Sequence, residues 1–362
     1  MSKLDTLLQI WNSKQPFPEQ RQSRLDLKFT LEFNYNSNHI EGNQLTYGQT
    51  EILLLFGKVV SEANIRDLEE MKSHDVALKL MISEAKESDK PLTEVFIRQL
   101  HQIMFREDYE EYRTLPDGST YSYTVHVGRY KTRHNSVRTK TGELFEYASP
   151  EETPGLMYDL VKWYNEEAEK RVLSPIELAA LFHYRYIRIH PFEDGNGRVS
   201  RLLMNFILLR HNYPMIVVRH KDKDRYLGAL GKADANVDPR PSFGAQASIS
   251  QITPFLDYIN KTMEQEIEDN LSFIDEAAEN VWWFNGEFIK FRSENTRKIL
   301  NLLTEHPGIT VRELVDEVGI NKSAIQKQLQ NLQKHEYIIR TKGRRGSWHV
   351  AIVCTTNKGG TK

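Results

Sequence analysis

Apolar residues recur at helical spacing over most of the chain. One helix is predicted from Leu92 to Phe105, where the apolar positions form a single stripe. A second is predicted from Pro175 to Ile189, because Ser174 and Glu177 form a capping box and proline occupies the first helical position. A third is predicted from Gly197 to His211, with its leucines facing inward. The pattern therefore predicts a mainly α-helical fold.

Between Val125 and Ala148 the pattern changes from helical spacing to alternation. Tyr121, Tyr123 and Val125 alternate with polar residues until Gly128 interrupts the run. Apolar residues then flank the dipeptide Thr141-Gly142, which predicts a β-hairpin here. Such a hairpin can also be a surface element with no part in substrate binding, and the alternation alone does not decide this.

A long amphipathic helix is predicted from Thr253 to about Phe284. Its apolar residues recur at helical spacing, with acidic residues on the opposite face. We expect this helix to pack against the core as a connector, and we regard it as the candidate surface for a homodimer. The dipeptide Asn285-Gly286 is interpreted as a break before the last module.

The segment from Ser293 to Val350 has the pattern of a winged helix-turn-helix. Its predicted elements are helices at Asn295–His306, Thr310–Val318 and Lys322–Glu336 and strands at Tyr337–Arg340 and Trp348–Val350. The wing between the strands contains Lys342, Arg344 and Arg345. The segment has ten Lys/Arg against six Asp/Glu, a surplus of four positive charges. This surplus suits DNA phosphates, but a module that binds protein fits the same pattern, so both kinds of partner stay open.

Composition narrows the classes of protein to consider. At 362 residues and 39% hydrophobic content, the chain is long enough for two or three domains with buried cores. The formal charge of -2 gives no overall attraction to nucleic acid or membranes. A single cysteine, Cys354, excludes an intramolecular disulfide and fits a reducing compartment. The chain has no signal-peptide run and no apolar stretch long enough to span a bilayer, so we expect a cytoplasmic protein with no membrane contact.

The most informative stretch runs from His190 to Arg201 and reads His-Pro-Phe-Glu-Asp-Gly-Asn-Gly-Arg-Val-Ser-Arg. A histidine suits general base chemistry near neutral pH, and Asp194 is a hard oxygen ligand of the kind that Mg²⁺ prefers. A glycine-rich loop that opens a helix presents backbone N–H groups to an anion. Arg198 and Arg201 share one face of that helix and can clamp phosphate oxygens. The stretch therefore predicts a site that binds a nucleoside triphosphate.

These residues match the signature of the Fic (Fic/Doc) family, His-x-Phe-x-Asp/Glu-Gly-Asn-Gly-Arg-x-x-Arg, at every defined position. The chain therefore resembles a Fic protein adenylyltransferase, which transfers AMP from ATP to a Ser, Thr or Tyr hydroxyl of a protein. The resemblance implies a helical core with a β-hairpin flap that holds the target segment by strand-like pairing. It further implies a nucleotidyltransferase that uses Mg²⁺ with ATP as co-substrate, and self-modification is an expected observation.

The resemblance also assigns roles to single residues. His190 would take the proton from the attacking hydroxyl, Asp194 would hold Mg²⁺ against the α- and β-phosphates, and Phe192 would anchor the loop in the core. Tyr226, in a polar stretch after the catalytic helix, is a candidate edge of the nucleoside pocket. The nucleotide phosphates would contact the rest of the motif, namely the amides of Gly195, Asn196 and Gly197, the Asn196 side chain, Arg198 and Arg201.

A second motif lies upstream, where Ser37 to Asn43 read Ser-Asn-His-Ile-Glu-Gly-Asn. Ser37, Glu41 and Gly42 match Ser/Thr-x-x-x-Glu-Gly/Asn, the inhibitory motif of the Fic family. Ser37 and Glu41 are four residues apart and so share one helix face. By resemblance, Glu41 pairs with Arg201 and occupies the space that the γ-phosphate needs. The resemblance thus predicts a transferase that its own N-terminal helix restrains.

Two alternatives stay open on the sequence. One is a Fic enzyme that removes AMP or transfers a different nucleotidyl or phosphoryl group. The other is a DNA-binding regulator whose Fic core senses a nucleotide. The predicted domains are an N-terminal helical region with the inhibitory motif (1–90), a catalytic core (91–252), a connector helix (253–292), the winged helix (293–352) and a tail (353–362).

Overall fold

The computed structural model of the protein describes residues 2–59, 62–87, 89–114, 118–138, 144–274, 281–341 and 346–354. Helices dominate these residues and strands are short, so the predicted mainly α-helical class is confirmed. No helix of the described chain is both long and apolar enough to cross a bilayer. The helices are α1 (Lys3–Ser13), α2 (Glu19–Ile40), α3 (Tyr47–Phe56), α4 (Ile65–Lys86), α5 (Glu94–Phe105), α6 (Thr153–Lys170), α7 (Pro175–Ile189), α8 (Asn196–Arg210), α9 (Lys223–Asp234), α10 (Pro241–Gly244), α11 (Thr253–Phe273), α12 (Glu294–Glu305), α13 (Val311–Val318) and α14 (Lys322–Lys334).

The strands form four small sheets. Each pairing is antiparallel. The strands are β1 (Tyr109–Thr114), β2 (Thr120–Val125), β3 (Val137–Arg138), β4 (Leu144–Phe145), β5 (Val281–Phe284), β6 (Glu287–Lys290), β7 (Ile338–Arg340), β8 (Trp348–Val350) and β9 (Val353–Cys354). Their orders are β1-β2, β3-β4, β6-β5-β9 and β7-β8.

The chain divides into two compact units. The core unit contains Asn36–Gly42 and Ser73–Glu266. The flanking unit contains the described residues of Met1–Tyr35, Asn43–Lys72 and Ile267–Lys362. The segment predicted as an N-terminal helical region therefore contributes to both units.

The core unit is built around α7 and α8, which pack against each other. α7 begins where the sequence predicts, because the Glu177 N–H donates to Ser174 Oγ (3.3 Å) and the Ser174 N–H donates to the Glu177 carboxylate (2.8 Å). Full burial of one phenylalanine or leucine side chain contributes about 1.5–3 kcal/mol, so this helix pair is a rigid support for the loop that joins it. Its fully buried side chains include Phe182, Tyr186, Leu202, Leu203 and Phe206.

Two hairpins lie between α5 and α6. β3 pairs with β4, which confirms the predicted hairpin, although its predicted turn at Thr141-Gly142 lies outside the described residues. The alternating run of Tyr121 and Tyr123 is β2, and its partner is β1, which the sequence pattern does not indicate. β1 was missed because its sequence, Tyr-Glu-Glu-Tyr-Arg-Thr, lacks the regular alternation of apolar and polar residues that marks a half-buried strand.

In the flanking unit, the described residues of 294–341 and 346–350 form the predicted winged helix-turn-helix. α12, α13 and α14 are followed by the β7-β8 hairpin, as the pattern indicates. Thr310 caps α13 in a capping box with Glu313, and Gly319 ends that helix at a φ of 78°. The predicted wing residues Lys342, Arg344 and Arg345 lie outside the described residues. The shared core includes Ile299, Leu303, Leu314, Ile325, Leu329 and Trp348.

The prediction of one helix from Thr253 to Phe284 is wrong at its C-terminal end. The helix ends at Phe273, and Val281–Phe284 is strand β5. Asn285 and Gly286, with φ values of 42° and 84°, form the two-residue turn into β6 and are not a break between modules. Asn-Gly favours this turn because both positions need a positive φ, and Trp282 and Trp283 favour a strand.

Candidate active site

His190 lies where α7 ends, in a left-handed backbone conformation with a φ of 53°. Its ring stacks on the Tyr147 ring, with centroids 3.9 Å apart and an angle of 14° between the planes. The pKa of His190 is lowered to about 3, mainly by burial and also by the nearby Lys131 ammonium, whereas the Ile187 carbonyl and Asp194 act to raise it. The imidazole is therefore neutral near pH 7 and is able to accept a proton.

The loop after His190 is closed by the side chain of Asn196. The Phe192 N–H donates to Asn196 Oδ1 (2.9 Å), and Asn196 Nδ2 donates to the Phe192 carbonyl (2.7 Å). Both ends of the Asn196 amide are thus used within the loop, and a contact between this side chain and phosphate stays a prediction. Phe192 itself is fully buried and stacks on His101 with ring centroids 3.9 Å apart.

The two glycines of the loop lie in tight surroundings. Gly195 precedes α8 with a φ of 75°, and a Cβ there would collide with the Phe105 ring. A Cβ at Gly197 would collide with the carboxylate of Glu41. The first backbone N–H groups of α8 have no acceptor within the helix, and the helix dipole makes this end attractive to an anion. Glu41 therefore places a negative charge beside the first turn of α8.

Asp194 is held as an ionised carboxylate. Its Oδ2 accepts from the Tyr109 hydroxyl (2.7 Å) and its Oδ1 accepts from the Gly195 N–H (2.6 Å). Burial raises the pKa of Asp194, but the Arg198 guanidinium and these hydrogen bonds outweigh it and lower the pKa overall. The side chain is still 42% exposed, so its oxygens can be reached by a ligand.

The donor set fits Mg²⁺ bound mainly by a nucleotide. Among the described residues there is no cluster of three or more metal-ligating side chains. Mg²⁺ commonly binds through one or two carboxylates and completes its shell with substrate phosphates and water. An ionised, reachable Asp194 at the start of α8 satisfies this requirement.

The two arginines of the motif have different surroundings. Arg198 is buried, its Nη2 lies 3.9 Å from Asp194 Oδ2, and its guanidinium lies over the Phe105 ring at 4.7 Å. Arg201 is also buried, and its Nη2 donates to Glu41 Oε1 (2.7 Å). The same guanidinium donates to Ser37 through Nε to Oγ (3.0 Å) and through Nη2 to the carbonyl (2.9 Å). Charge-assisted hydrogen bonds of this kind are the stronger ones in proteins.

The predicted inhibitory motif lies at the C-terminal end of α2. Glu41 directly follows the helix, and its N–H donates to the Asn38 carbonyl (3.0 Å). Gly42 has a φ of 101°, which a residue with a side chain rarely adopts. The structure thus brings Ser37, Glu41 and Arg201 together, although 160 residues separate Glu41 from Arg201.

Tyr226 lies deeper than the predicted rim of a nucleoside pocket. Its side chain is buried, and its hydroxyl lies 2.9 Å from His183 Nε2. Burial raises the pKa of Tyr226, whereas Arg201 acts to lower it. A contact between Tyr226 and the nucleoside stays a prediction.

Sequence reasoning missed several residues that organise the site. His101 accepts from the Gly128 N–H at Nδ1 (2.9 Å) and pairs with the Asp194 carbonyl at Nε2 (3.1 Å), so it joins α5 to the loop. Tyr109 binds the Asp194 carboxylate, and Tyr147 stacks on His190. The available signal was the position of His101 inside an apolar helical stripe, where a histidine needs partners when buried.

Two family models match the chain. The model of the Fic/DOC family matches residues 91–208. A model described as winged helix-turn-helix DNA-binding matches residues 292–339. The first match contains the loop between α7 and α8, and the second contains α12, α13 and α14.

Named relatives are similar to much of the chain. The protein adenylyltransferase fic-1 of Caenorhabditis briggsae is 27% identical over 271 residues, which are 75% of this chain and 46% of the relative. The protein adenylyltransferase Fic of Nematostella vectensis is 29% identical over 238 residues, which are 66% of this chain and 48% of the relative. The chain therefore spans less than half the length of these curated relatives.

Solved structures extend the similarity. A Fic domain containing signaling protein from Bacteroides thetaiotaomicron is 49% identical, with a TM-score of 0.70, and the match covers 75% of this chain and 96% of that one. A Fic family protein from Desulfovibrio desulfuricans is 20% identical with a TM-score of 0.56, and the match covers 100% of this chain and 98% of that one. The second similarity shows a common fold.

Proposed function

The chain belongs to the Fic/DOC family, and on this premise we propose that it transfers AMP from ATP to a hydroxyl side chain of a protein. A Ser, Thr or Tyr oxygen of the target attacks the α-phosphorus, the bond to the β-phosphate oxygen breaks, and pyrophosphate leaves. Relatives named protein adenylyltransferase support this reaction. The arrangement around the loop between α7 and α8 supports it independently.

His190 is the proposed general base. Its ring is neutral near pH 7 because burial and Lys131 lower its pKa to about 3. A weak base of this kind takes the hydroxyl proton as the new oxygen–phosphorus bond forms, and positioned proton transfer contributes about 10²–10⁴-fold to a rate. The stacked Tyr147 ring limits how far the imidazole can turn.

The first turn of α8 is the proposed phosphate site. Backbone N–H groups of Asn196 and Gly197 would face the phosphates, whereas the Gly195 N–H already donates to Asp194 Oδ1 (2.6 Å). Arg198 would balance the charge that develops on the departing pyrophosphate. Asp194 is the residue that would hold Mg²⁺, and a bound ion would neutralise phosphate charge. Most of the catalysis in such a site comes from positioning and electrostatics.

The contact between Glu41 and Arg201 is the observation that carries the proposal of autoinhibition. Glu41 Oε1 lies 2.7 Å from Arg201 Nη2 and beside Gly197, where a phosphate would bind. A carboxylate at this position repels the triphosphate and uses the arginine that would bind it. We propose that Ser37, Glu41 and Gly42 keep ATP out of the orientation for AMP transfer.

The test uses ATP labelled at the α- or the γ-phosphate, with the protein and a lysate as acceptors. We expect Glu41→Gly to transfer the α-label to protein at least about 10-fold faster than the wild type, because one released charge-assisted contact is worth about 1.4 kcal/mol or more. His190→Ala in the Glu41→Gly background should abolish transfer. Glu305→Ala, an exposed glutamate of α12, is the matched control.

The outcomes separate the possible activities. Transfer of the γ-label would indicate phosphoryl transfer, and loss of label from a previously modified target would indicate removal of AMP. Equal α-label transfer by the wild type and Glu41→Gly would contradict autoinhibition. Mass spectrometry of the labelled proteins would identify the target, including the chain itself.

DNA binding by the winged helix is a second candidate function. α14 contains no acidic residue, and its exposed side chains include Lys322, Gln326, Lys327, Gln330 and Lys334. Cations and amides of this kind contact phosphates and base edges in a major groove. We propose that the winged helix binds DNA through α14. A cytoplasmic location and a homodimer are two further proposals for this protein.

DNA binding is tested with fluorescent duplex DNA over a range of salt concentrations. Lys322→Glu with Lys327→Glu should weaken binding and reduce the salt slope by about 2, because each phosphate contact contributes about 1. Lys162→Glu, an exposed lysine of α6, is the matched control. Tight DNA binding with no label transfer by any variant would favour a regulator that senses a nucleotide.

A further inference from the structure

The segment from Lys131 to Asn135 lies against the catalytic loop and donates to its backbone. The Ile189 carbonyl accepts from Lys131 Nζ (3.0 Å), and the Pro191 carbonyl accepts from the Lys131 N–H (2.8 Å). Asn135 Nδ2 donates to the His190 carbonyl (3.1 Å) and to the Phe192 carbonyl (2.8 Å). Four consecutive carbonyls, those of residues 189–192, are therefore held by two side chains and one backbone amide.

Lys131 occupies a position that is costly for a cation. Its side chain is only 3% exposed, and the described acceptors of its ammonium are the Ile189 carbonyl and Asn135 Oδ1 (2.9 Å), which are both neutral. Burial of a charge without an ion-pair partner is unfavourable, and here it lowers the pKa of Lys131 to about 7. If the Lys131 side chain only filled space, an uncharged side chain of similar size would make the folded protein more stable.

The loop that Lys131 contacts has a backbone that needs support. His190 has a φ of 53°, and a residue with a side chain pays about 1–2 kcal/mol to adopt this conformation. Its carbonyl, and those on either side of it, would otherwise be free to turn toward water. A small rotation of the backbone at His190 would move the imidazole ring away from an attacking hydroxyl.

The neighbouring contacts support the same role. Glu193, the next residue of the loop, accepts from Thr132 Oγ1 of the same segment (2.9 Å) and from the His126 N–H just before that segment (3.0 Å). Asn135 lies two residues before β3, the first strand of the predicted flap. The supporting segment therefore ends just before the strand on which a target is expected to dock.

We propose that Lys131 and Asn135 are positioning residues that fix the backbone of His190 for proton transfer. This inference rests on the proposed transferase function. Neither side chain is among the groups assigned to ATP, so their loss should lower kcat and leave the KM for ATP unchanged.

The experiment compares four variants in the Glu41→Gly background, with α-labelled ATP. Lys131→Met removes the ammonium, and Asn135→Asp removes the Nδ2 donor with little change of shape. Both should reduce kcat by about 10- to 100-fold, because a misplaced catalytic group costs up to about 10²-fold. Lys131→Arg, which keeps the charge and the donors, should recover part of the rate. Lys162→Met, on the exposed face of α6, should have no effect.

Two further measurements separate positioning from loss of folding and from failure of the proposed function. All four variants are expected to unfold cooperatively on heating, as the parent protein does, and to bind ATP with equal affinity. If Glu41→Gly transfers no label, the side-chain NMR signals of His190 decide the inference, since Lys131→Met should shift them and Lys162→Met should not. Unchanged kcat and unchanged His190 signals in Lys131→Met and Asn135→Asp would overturn the proposal, and so would a parallel loss of ATP binding.

Discussion

At the scale of single residues, the loop depends on positions that have no side chain. Gly195 combines a φ of 75° with a close approach to the Phe105 ring, and Gly197 lies against Glu41. Without a Cβ, the backbone N–H groups at the start of α8 are accessible to an anion. The missing Cβ at Gly197 also allows the Glu41 carboxylate to come close to the backbone there. The lack of a Cβ therefore makes room both for the proposed phosphate ligand and for the Glu41 carboxylate that would compete with it.

Gly195→Ala is predicted to destabilise the protein. The added Cβ collides with Phe105, and alanine disfavours a φ of 75°, so the free energy of unfolding should fall by about 1–3 kcal/mol. Gly228→Ala is the matched control, since nothing lies within 4 Å of its added Cβ and it lies inside α9. That change should raise the free energy of unfolding by about 0.5–1 kcal/mol. Denaturant unfolding measures both, and equal effects would contradict this assignment.

The sequence predicts the residues that carry the chemistry better than the residues that support them. His190, Asp194 and the two arginines stand in one short signature, and their chemical types indicate a phosphate site. Lys131 and Asn135 act through hydrogen bonds to backbone carbonyls. Such bonds do not depend on the side chains of the loop, so no pattern in the sequence indicates them.

At the scale of elements, local signals explain which boundaries the sequence predicts. α7 begins at its predicted residue because the capping box and Pro175 act within one turn. The end of α11 was missed because Val281–Phe284 continues an apolar pattern that fits a helix or a strand equally well.

The partner of β2 was missed for a different reason. Strand pairing is non-local, and the charged side chains of β1 give no alternation.

Ser174→Ala is predicted to weaken α7 by removing its N-cap. The Glu177 N–H would lose its acceptor, so the free energy of unfolding should fall by about 1 kcal/mol. Ser323→Ala is the matched control, because Ser323 is exposed in the first turn of α14 and Asn321 caps that helix. Thermal unfolding of both variants checks the difference. A loss of stability in Ser323→Ala as large as in Ser174→Ala would argue against a specific capping effect.

At the scale of the whole molecule, the core unit buries several histidines in their neutral form. Burial lowers the pKa of His101 to about 4, of His183 to about 3 and of His190 to about 3, and it lowers the pKa of His74 well below 6.5. Below pH 6.5 the unfolded chain binds protons at these sites that the folded chain does not bind. Their contribution to stability is therefore fully present above pH 6.5 and is lost as the pH falls toward 4.

The protein is accordingly predicted to lose stability in mild acid. Each buried histidine contributes about 1.4 kcal/mol per pH unit in this range, so denaturant unfolding at pH 7.5, 6 and 5 should show a steep decrease. His183→Gln, which can still pair with the Tyr226 hydroxyl, should reduce that slope. His306→Gln replaces an exposed side chain of the winged helix and is the control. A stability that is constant from pH 7.5 to 5 would contradict the prediction.

The three hydrogen bonds that Arg201 makes to Ser37 and Glu41 have a consequence for how the protein responds to its surroundings. In the proposed function, Glu41 is a tethered ligand whose local concentration is fixed by the chain and does not change with the amount of protein. ATP competes with Glu41 for Arg201. The fraction of protein molecules that are active would therefore depend on the concentration of free ATP relative to the fixed local concentration of Glu41. The midpoint of that response is set by how firmly the end of α2 is folded. A change far from the site that loosens this one helix turn would lower the ATP concentration at which the protein begins to act.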